Sequence, residues 1–207
     1  MNEEFRSLAE SVSIHDDQFV DLWLTEAKGR GEVLTLRIAV ELADGVELEQ
    51  VDVAPGDRMI ECVGVSTVAL AVGQNFSAIE IPEDDPRAWG VSKPTHDLYL
   101  RSPFDDPNAV QARLVELIGS EPLSTWAALP GVGFAQTSED FAQMLQDGFG
   151  LILSAPEPVV LIVGEALAEL GLRMHHYAID RESHPAFVLD LAEAGFVVAR
   201  HFTTRIA

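Results

Sequence analysis

The chain has 207 residues, enough for one large domain or two small ones, and at that length roughly 70% of the unfolded surface can be buried without disulfides or metals. Hydrophobic residues make up 47% and charged residues 23%, a globular mix, yet 34 acidic residues against 13 basic ones give a net charge of −21. Because the excess is spread over both halves, the field repels nucleic-acid phosphates and anionic lipid, which argues against both and favours a basic protein partner.

Cys62 is the only cysteine, so no intramolecular disulfide can form, and a reducing compartment is expected. It lies in the apolar run Met59 to Val72 and reads as a small buried hydrophobe. The opening Met1-Asn-Glu-Glu-Phe-Arg is acidic where a secretory leader is basic, and no apolar run reaches the length of a membrane span. A soluble cytoplasmic protein of bacterial type is the expectation.

Residues 1–13 read as a short amphipathic helix or a loose terminus. From Phe19 to Ile81 the pattern is β. A strand over 19–26 leads through Lys28-Gly29-Arg30-Gly31 into Val33 to Leu42, where Leu34, Leu36, Ile38, Val40 and Leu42 alternate with Thr35, Arg37, Ala39 and Glu41. Asp44-Gly45 then signals a turn. A two-residue loop would set Leu42 against Glu47 and mix the faces. A three-residue loop, Ala43-Asp44-Gly45, pairs Leu42 with Val46 and Val40 with Leu48, and requires a left-handed Gly45. Pro55-Gly56-Asp57 precedes one long apolar run, Arg58 to Val72, and Gly73-Gln74-Asn75 leads to a strand over Phe76 to Ile81.

Three prolines and three consecutive acids between Pro82 and Pro94 argue against regular structure there, although Trp89 suggests a segment that packs down. Beyond it, His96 to Arg101 reads as a strand. Asp106 caps a helix with Pro107 at its first position, Val110, Leu114, Leu117 and Ile118 on one face, and Gly119 at its end. Thr137-Ser-Glu-Asp140 resembles a capping box before a helix with Phe141 and Leu145. Phe149 to Ser154 is a strand, Pro158 to Leu170 a helix ended by Gly171, and Leu172 to Ile179 a strand again. The tail reads two ways: a helix over 185–194 feeding a strand Phe196 to Arg205, or a hairpin across Ala-Glu-Ala-Gly, which the alternation of Phe187, Leu189 and Leu191 favours. The fold class is thus α+β. An antiparallel β-rich half (1–82) and an acidic connector (83–95) precede an α/β half (96–207) with three short helices alternating with strands, all within reach of one fused domain.

No catalytic, metal or cofactor signature emerges. Gly131-Val-Gly133 and Gly148-Phe-Gly150 do not extend to a phosphate-binding loop, and Gly64-Val-Ser66 lacks the second glycine of a nucleophile elbow. His175 and His176 point to opposite faces of a strand and cannot share one ion without distortion. Carboxylate pairs such as Asp105/Asp106 abound among 34 acids and single nothing out. The string His184-Pro-Ala-Phe-Val-Leu-Asp-Leu-Ala-Glu-Ala-Gly-Phe-Val-Val-Ala-Arg-His-Phe-Thr resembles the end of a GNAT-type N-acetyltransferase, and the resemblance implies a helix leading through Gly-Phe into a final strand. It spans a tenth of the chain. The family's acetyl-CoA loop is missing, because the nearest string, Arg181-Glu-Ser-His184, sets His where Gly is needed.

The sequence therefore favours a non-catalytic module that binds a basic protein, as immunity proteins and inhibitors do. Its expected contacts are Glu83, Asp84, Asp85 and Trp89 in the connector, and Asp16, Asp17, Asp21 and Trp23 near the start. The rival reading is a small-molecule enzyme with a site at the junction of the halves, acetyltransferase-like among other options, in which His96, His175, His176 and Tyr177 supply acid–base groups.

Overall fold

The structure, a computed structural model, describes residues 20–47, 55–129, 139–179 and 182–206. The chain forms two compact units, Met1–Asp85 with Pro185–Ala207, and Pro86–His184. The break falls inside the expected connector. Residues 185–207, however, belong with the first unit and not with the second half, because their strands complete its sheets.

In the first unit, β1 (Val20–Arg30), β2 (Val33–Leu42), β3 (Gly56–Val63), β5 (Asn75–Phe76) and β11 (His201–Ile206) make an antiparallel sheet in the order β11-β3-β2-β1-β5. A second sheet has the order β4-β10-β9, from Thr67–Leu70, Gly195–Ala199 and Phe187–Asp190. Both contribute to one apolar core that includes Leu22, Leu24, Leu36, Ile38, Ile60, Leu189, Val197 and Phe202. Burial pushes the Cys62 thiol up to about 12, which makes it a packing group and not a nucleophile at neutral pH.

The β1–β2 hairpin turns on Gly31 and Glu32, with Arg30 opposite Val33. That register sets even-numbered residues of β1 against odd-numbered ones of β2. The apolar residues Val20, Leu22 and Leu24 would then face the wrong side of the alternating β2. A bulge between Leu24 and Glu26 corrects the mismatch, so that Leu22 meets Val40 and Leu24 meets Ile38. Thr25, the extra residue, donates its hydroxyl to the Arg37 carbonyl at 3.0 Å.

The expected pairing of Leu42 with Val46 does not occur. Leu42 pairs with Val20, and Val40 lies between Leu22 and Gly56, so both edges of β2 are taken. Gly45 does adopt positive φ (84°), in a turn closed by Val46 N–H to Ala43 C=O. Two other expected strands prove to be bent. The run Arg58 to Val72 leaves the first sheet at Gly64 and enters the second as β4, while Phe196 to Arg205 makes the reverse crossing at Arg200. The two bends face each other: the Arg200 N–H donates to Val63 C=O, and a Cβ on Gly64 would press on the Arg200 side chain. Between these bends the β3–β4 strand carries one residue more than its partner, as a corner between two sheets requires. Past Phe76 the expected strand to Ile81 is reduced to a single bridge, Glu80 with Asp190.

The tail is the hairpin. β9 and β10 pair antiparallel across a 3-10 turn, Ala192–Ala194, with Glu193 accepting from the Ser77 N–H at 3.0 Å. Its own backbone N–H and then Ser77 hold the Glu193 carboxyl below the usual carboxylate range, so its stabilising contribution is present above the unfolded value and lost as pH falls through the folded one. The helix implied by the acetyltransferase resemblance is therefore absent: Phe187–Asp190 is a strand.

In the second unit, β6 (Thr95–Leu100) lies between β7 (Gly150–Pro156) and β8 (Met174–Ala178), antiparallel to both. The chain runs through α1 (Trp89–Ser92), α2 (Pro107–Ile118), α3 (Leu123–Ala127), α4 (Glu139–Asp147) and α5 (Glu157–Glu169). Leu98, Leu100, Val110, Leu114, Leu145, Val159, Val163 and Leu167 form its core. The short α1 and the preceding 3-10 turn Pro86–Ala88 replace the irregular connector expected there, and α3 had no expected counterpart. Asp106 caps α2 as expected, its carboxylate accepting from the Ala109 N–H at 3.0 Å. Asp106→Ala should cost about 1 kcal/mol in urea denaturation. The capping box at Thr137 and Ser138 lies outside the described residues.

Candidate functional site

Two surfaces carry side chains of functional interest, one in each unit. The first is the outward face of β1 and β2, opposite the core. Val20, Leu22 and Leu24 point inward, so Asp21 and Trp23 point outward, and Trp23 is 37% exposed. Opposite Trp23 stand Ala39 on β2 and Asn75 on β5. Opposite Asp21 stands Glu41. Like charges directly across an antiparallel pair cost stability, about 0.2–1 kcal/mol. Neither carboxylate has a hydrogen bond or ion pair among the described residues. Farther along the same face the acids are neutralised, Asp57 by Arg37 and Glu61 by Arg205. The unpaired acids thus collect beside the exposed indole.

Of the expected contact residues, Asp21 and Trp23 come together, and Glu41 joins them from the next strand. Glu41 escaped sequence reasoning because its position opposite Asp21 depends on the bulge. Asp16 and Asp17 lie outside the described residues. In the connector, Asp84 is exposed at positive φ (53°) and Asp85 is half-buried. Trp89 needs correcting. It is 5% exposed and packs in the core of the second unit, so it offers no exposed anchor, and the connector is not carried forward as an interface.

The second surface gathers the acid–base candidates on β6 and β8. His96 points to the core face and is 8% exposed, with its Nε2 3.9 Å from Glu157 Oε1, too long for a hydrogen bond, and its Nδ1 buried without a partner among the described residues. The His176 ring centroid lies 5.5 Å from that of His96. His175 and Tyr177 point the other way, as the strand period requires, and meet edge to face at 4.4 Å. Tyr99 stands beside Tyr177, and Arg101 donates to the Tyr177 hydroxyl. The four candidates are therefore split across two faces of one sheet and do not converge on one reacting atom. Among the described residues, no three His, Cys, Asp or Glu are grouped so as to hold a metal ion. Since Nδ1 of His96 is buried and unsatisfied, His96→Leu should leave stability unchanged or raise it by about 1 kcal/mol, measured by urea denaturation.

No helix among the described residues is long and apolar enough to cross a membrane. No protein-family model matches the chain, and no curated protein or solved structure matches it either.

Proposed function

We propose that this chain is a non-catalytic binding module for a basic protein, of the immunity- or inhibitor-like kind, and that Trp23 with Asp21 and Glu41 forms its contact. The observation that carries the reading is the pairing of Asp21 with Glu41 beside an exposed tryptophan. Among the described residues the like-charge pair has no cation beside it, at a place where either residue could be neutral without loss to the core. A cationic group on a partner would supply the missing counter-charge. The indole gives a broad apolar anchor of the type that dominates binding energy at interfaces. The net charge of −21 adds long-range attraction for such a partner.

The experiment is differential capture. Wild-type protein and a Trp23→Ala/Asp21→Asn/Glu41→Gln variant, each immobilised, are exposed to lysate from the source cells at low salt. Basic proteins held by the wild type and lost by the variant are the expected outcome. Identical retention by both would remove this surface from consideration.

A further inference from the structure

We propose that the outward face of the second unit's sheet binds a phosphate monoester joined to a planar ring, the class to which nucleoside monophosphates belong. Arg101 and Arg173 take the phosphate, and Phe149 takes the ring. The site lies in a different unit from the Trp23 surface and does not rest on that reading.

The register brings the two arginines together. Leu98 and Leu100 of β6 are buried, so Tyr99 and Arg101 point outward. Leu100 pairs with Met174, and the Arg101 N–H donates to the Arg173 C=O at 2.8 Å, which carries the ladder one residue farther. Arg101 and Arg173 therefore stand opposite each other, both exposed. Like charges placed in this way oppose folding. Among the described residues neither guanidinium has a carboxylate partner, whereas Arg37, Arg113 and Arg205 each have one. Arg101 is positioned by aromatic side chains instead. It donates to the Tyr177 hydroxyl, and its guanidinium lies 5.6 Å from the centre of the Phe149 ring and 5.7 Å from that of Tyr177. Two adjacent guanidinium groups match the dianion of a phosphate monoester, which they bind through paired N–H···O bonds. Asp97, the acid on this face of β6, lies two positions beyond Tyr99 and accepts from its hydroxyl at 3.3 Å.

Phe149 leads into β7 beside Arg101 and is 63% exposed. It is held there by its neighbours. A Cβ on Gly148 would strike Pro103, and one on Gly150 would strike Met144, so the backbone on both sides of Phe149 is closely packed. An aromatic ring fixed in solvent next to a cation is a stacking surface for a base. Leu151, 45% exposed on the same strand, extends it.

Net charge sets the size of the ligand. A nucleic-acid strand would carry further phosphates across the surface of a chain of net charge −21. A single monoester presents its charge to the two arginines alone, and at physiological salt charges more than about 8 Å away are largely screened. A sheet face encloses less of a ligand than a cleft does, so binding should be weak, with a Kd of about 10 μM to 1 mM.

Titration of the full chain with adenosine monophosphate, followed by NMR chemical shifts, tests this, with inorganic phosphate and adenosine as separate probes. Adenosine monophosphate should bind at least tenfold more tightly than either probe. Arg173→Gln should reduce its affinity at least tenfold, to about that of adenosine, while the urea midpoint stays the same or rises. Phe149→Ala should reduce it to about that of inorganic phosphate. Asp21→Asn/Glu41→Gln should leave it unchanged, so this site and the Trp23 surface fail separately. Adenosine monophosphate bound no more tightly than inorganic phosphate, or equally well by Arg173→Gln, would overturn the proposal. Tighter binding of an adenosine oligonucleotide would overturn it too.

Discussion

Replacing Gly195 by Ala should destabilise the first unit by about 4 kcal/mol or more, and the protein is then expected to unfold at a much lower urea concentration. Gly195 ends the 3-10 turn between β9 and β10 and has φ 103°, a conformation that side-chain-bearing residues rarely adopt. Space is the larger obstacle. Gly195 pairs with Leu70 on β4, and a Cβ would be driven into the carbonyl of Ala69, with Leu70 Cα close behind. Backbone cannot yield as a flexible side chain does, so either the β4–β10 ladder opens or the turn moves. Both outcomes disturb Val197 and Leu189 in the core. Gly171→Ala provides the control. Gly171 also has positive φ (88°), but its Cβ would meet open space, so only the conformational strain of about 1 kcal/mol should appear.

The second large effect is expected at the Trp23 surface, where stability and binding should move in opposite directions. Asp21→Lys replaces a like-charge pair with an opposite-charge one and should stabilise the fold by up to about 1 kcal/mol. The same substitution places a cation where the partner's cation would dock. Affinity for the partner should fall by about 2 kcal/mol or more, roughly thirtyfold, while the folded protein becomes harder to denature. Trp23→Ala should reduce affinity by a similar amount through a faster off-rate, since the loss is of packed apolar contact. If Asp21→Lys lowers stability, the two carboxylates are not in repulsion and the argument from their pairing fails.

Sequence periodicity located β2 because every second residue from Leu34 to Leu42 is apolar, and it located α2 because Asp106 and Pro107 mark a helix start by their own chemistry. Both signals are local. Pairing across the molecule is not. Leu42 has Val46 near it in sequence, yet it pairs with Val20 across a bulge, in the register that buries Val20, Leu22 and Leu24. The Arg58 to Val72 run reads as continuous because Gly64 in a strand is an ordinary residue until Arg200 is known to lie against it. The site shows the same division. Asp21 and Trp23 are two apart on one strand and so share a face by period alone, whereas Glu41 joins them only through the register set at Thr25. Trp89 misled for a related reason: an indole among acids and prolines suits an exposed anchor and a buried plug equally, and the difference lies in the second unit's core, of which it forms part.

The claim that this acidic chain is steered to a basic partner is tested most directly by the salt dependence of the association rate, followed with a captured partner by stopped-flow fluorescence of Trp23. Between 0.01 M and 0.15 M salt the Debye length falls from about 30 Å to about 8 Å. The wild-type on-rate should drop by about tenfold or more over that range, and the Asp21→Asn/Glu41→Gln variant should show a lower rate with a shallower dependence. An on-rate that does not change with salt, or that changes equally in wild type and variant, would contradict the account.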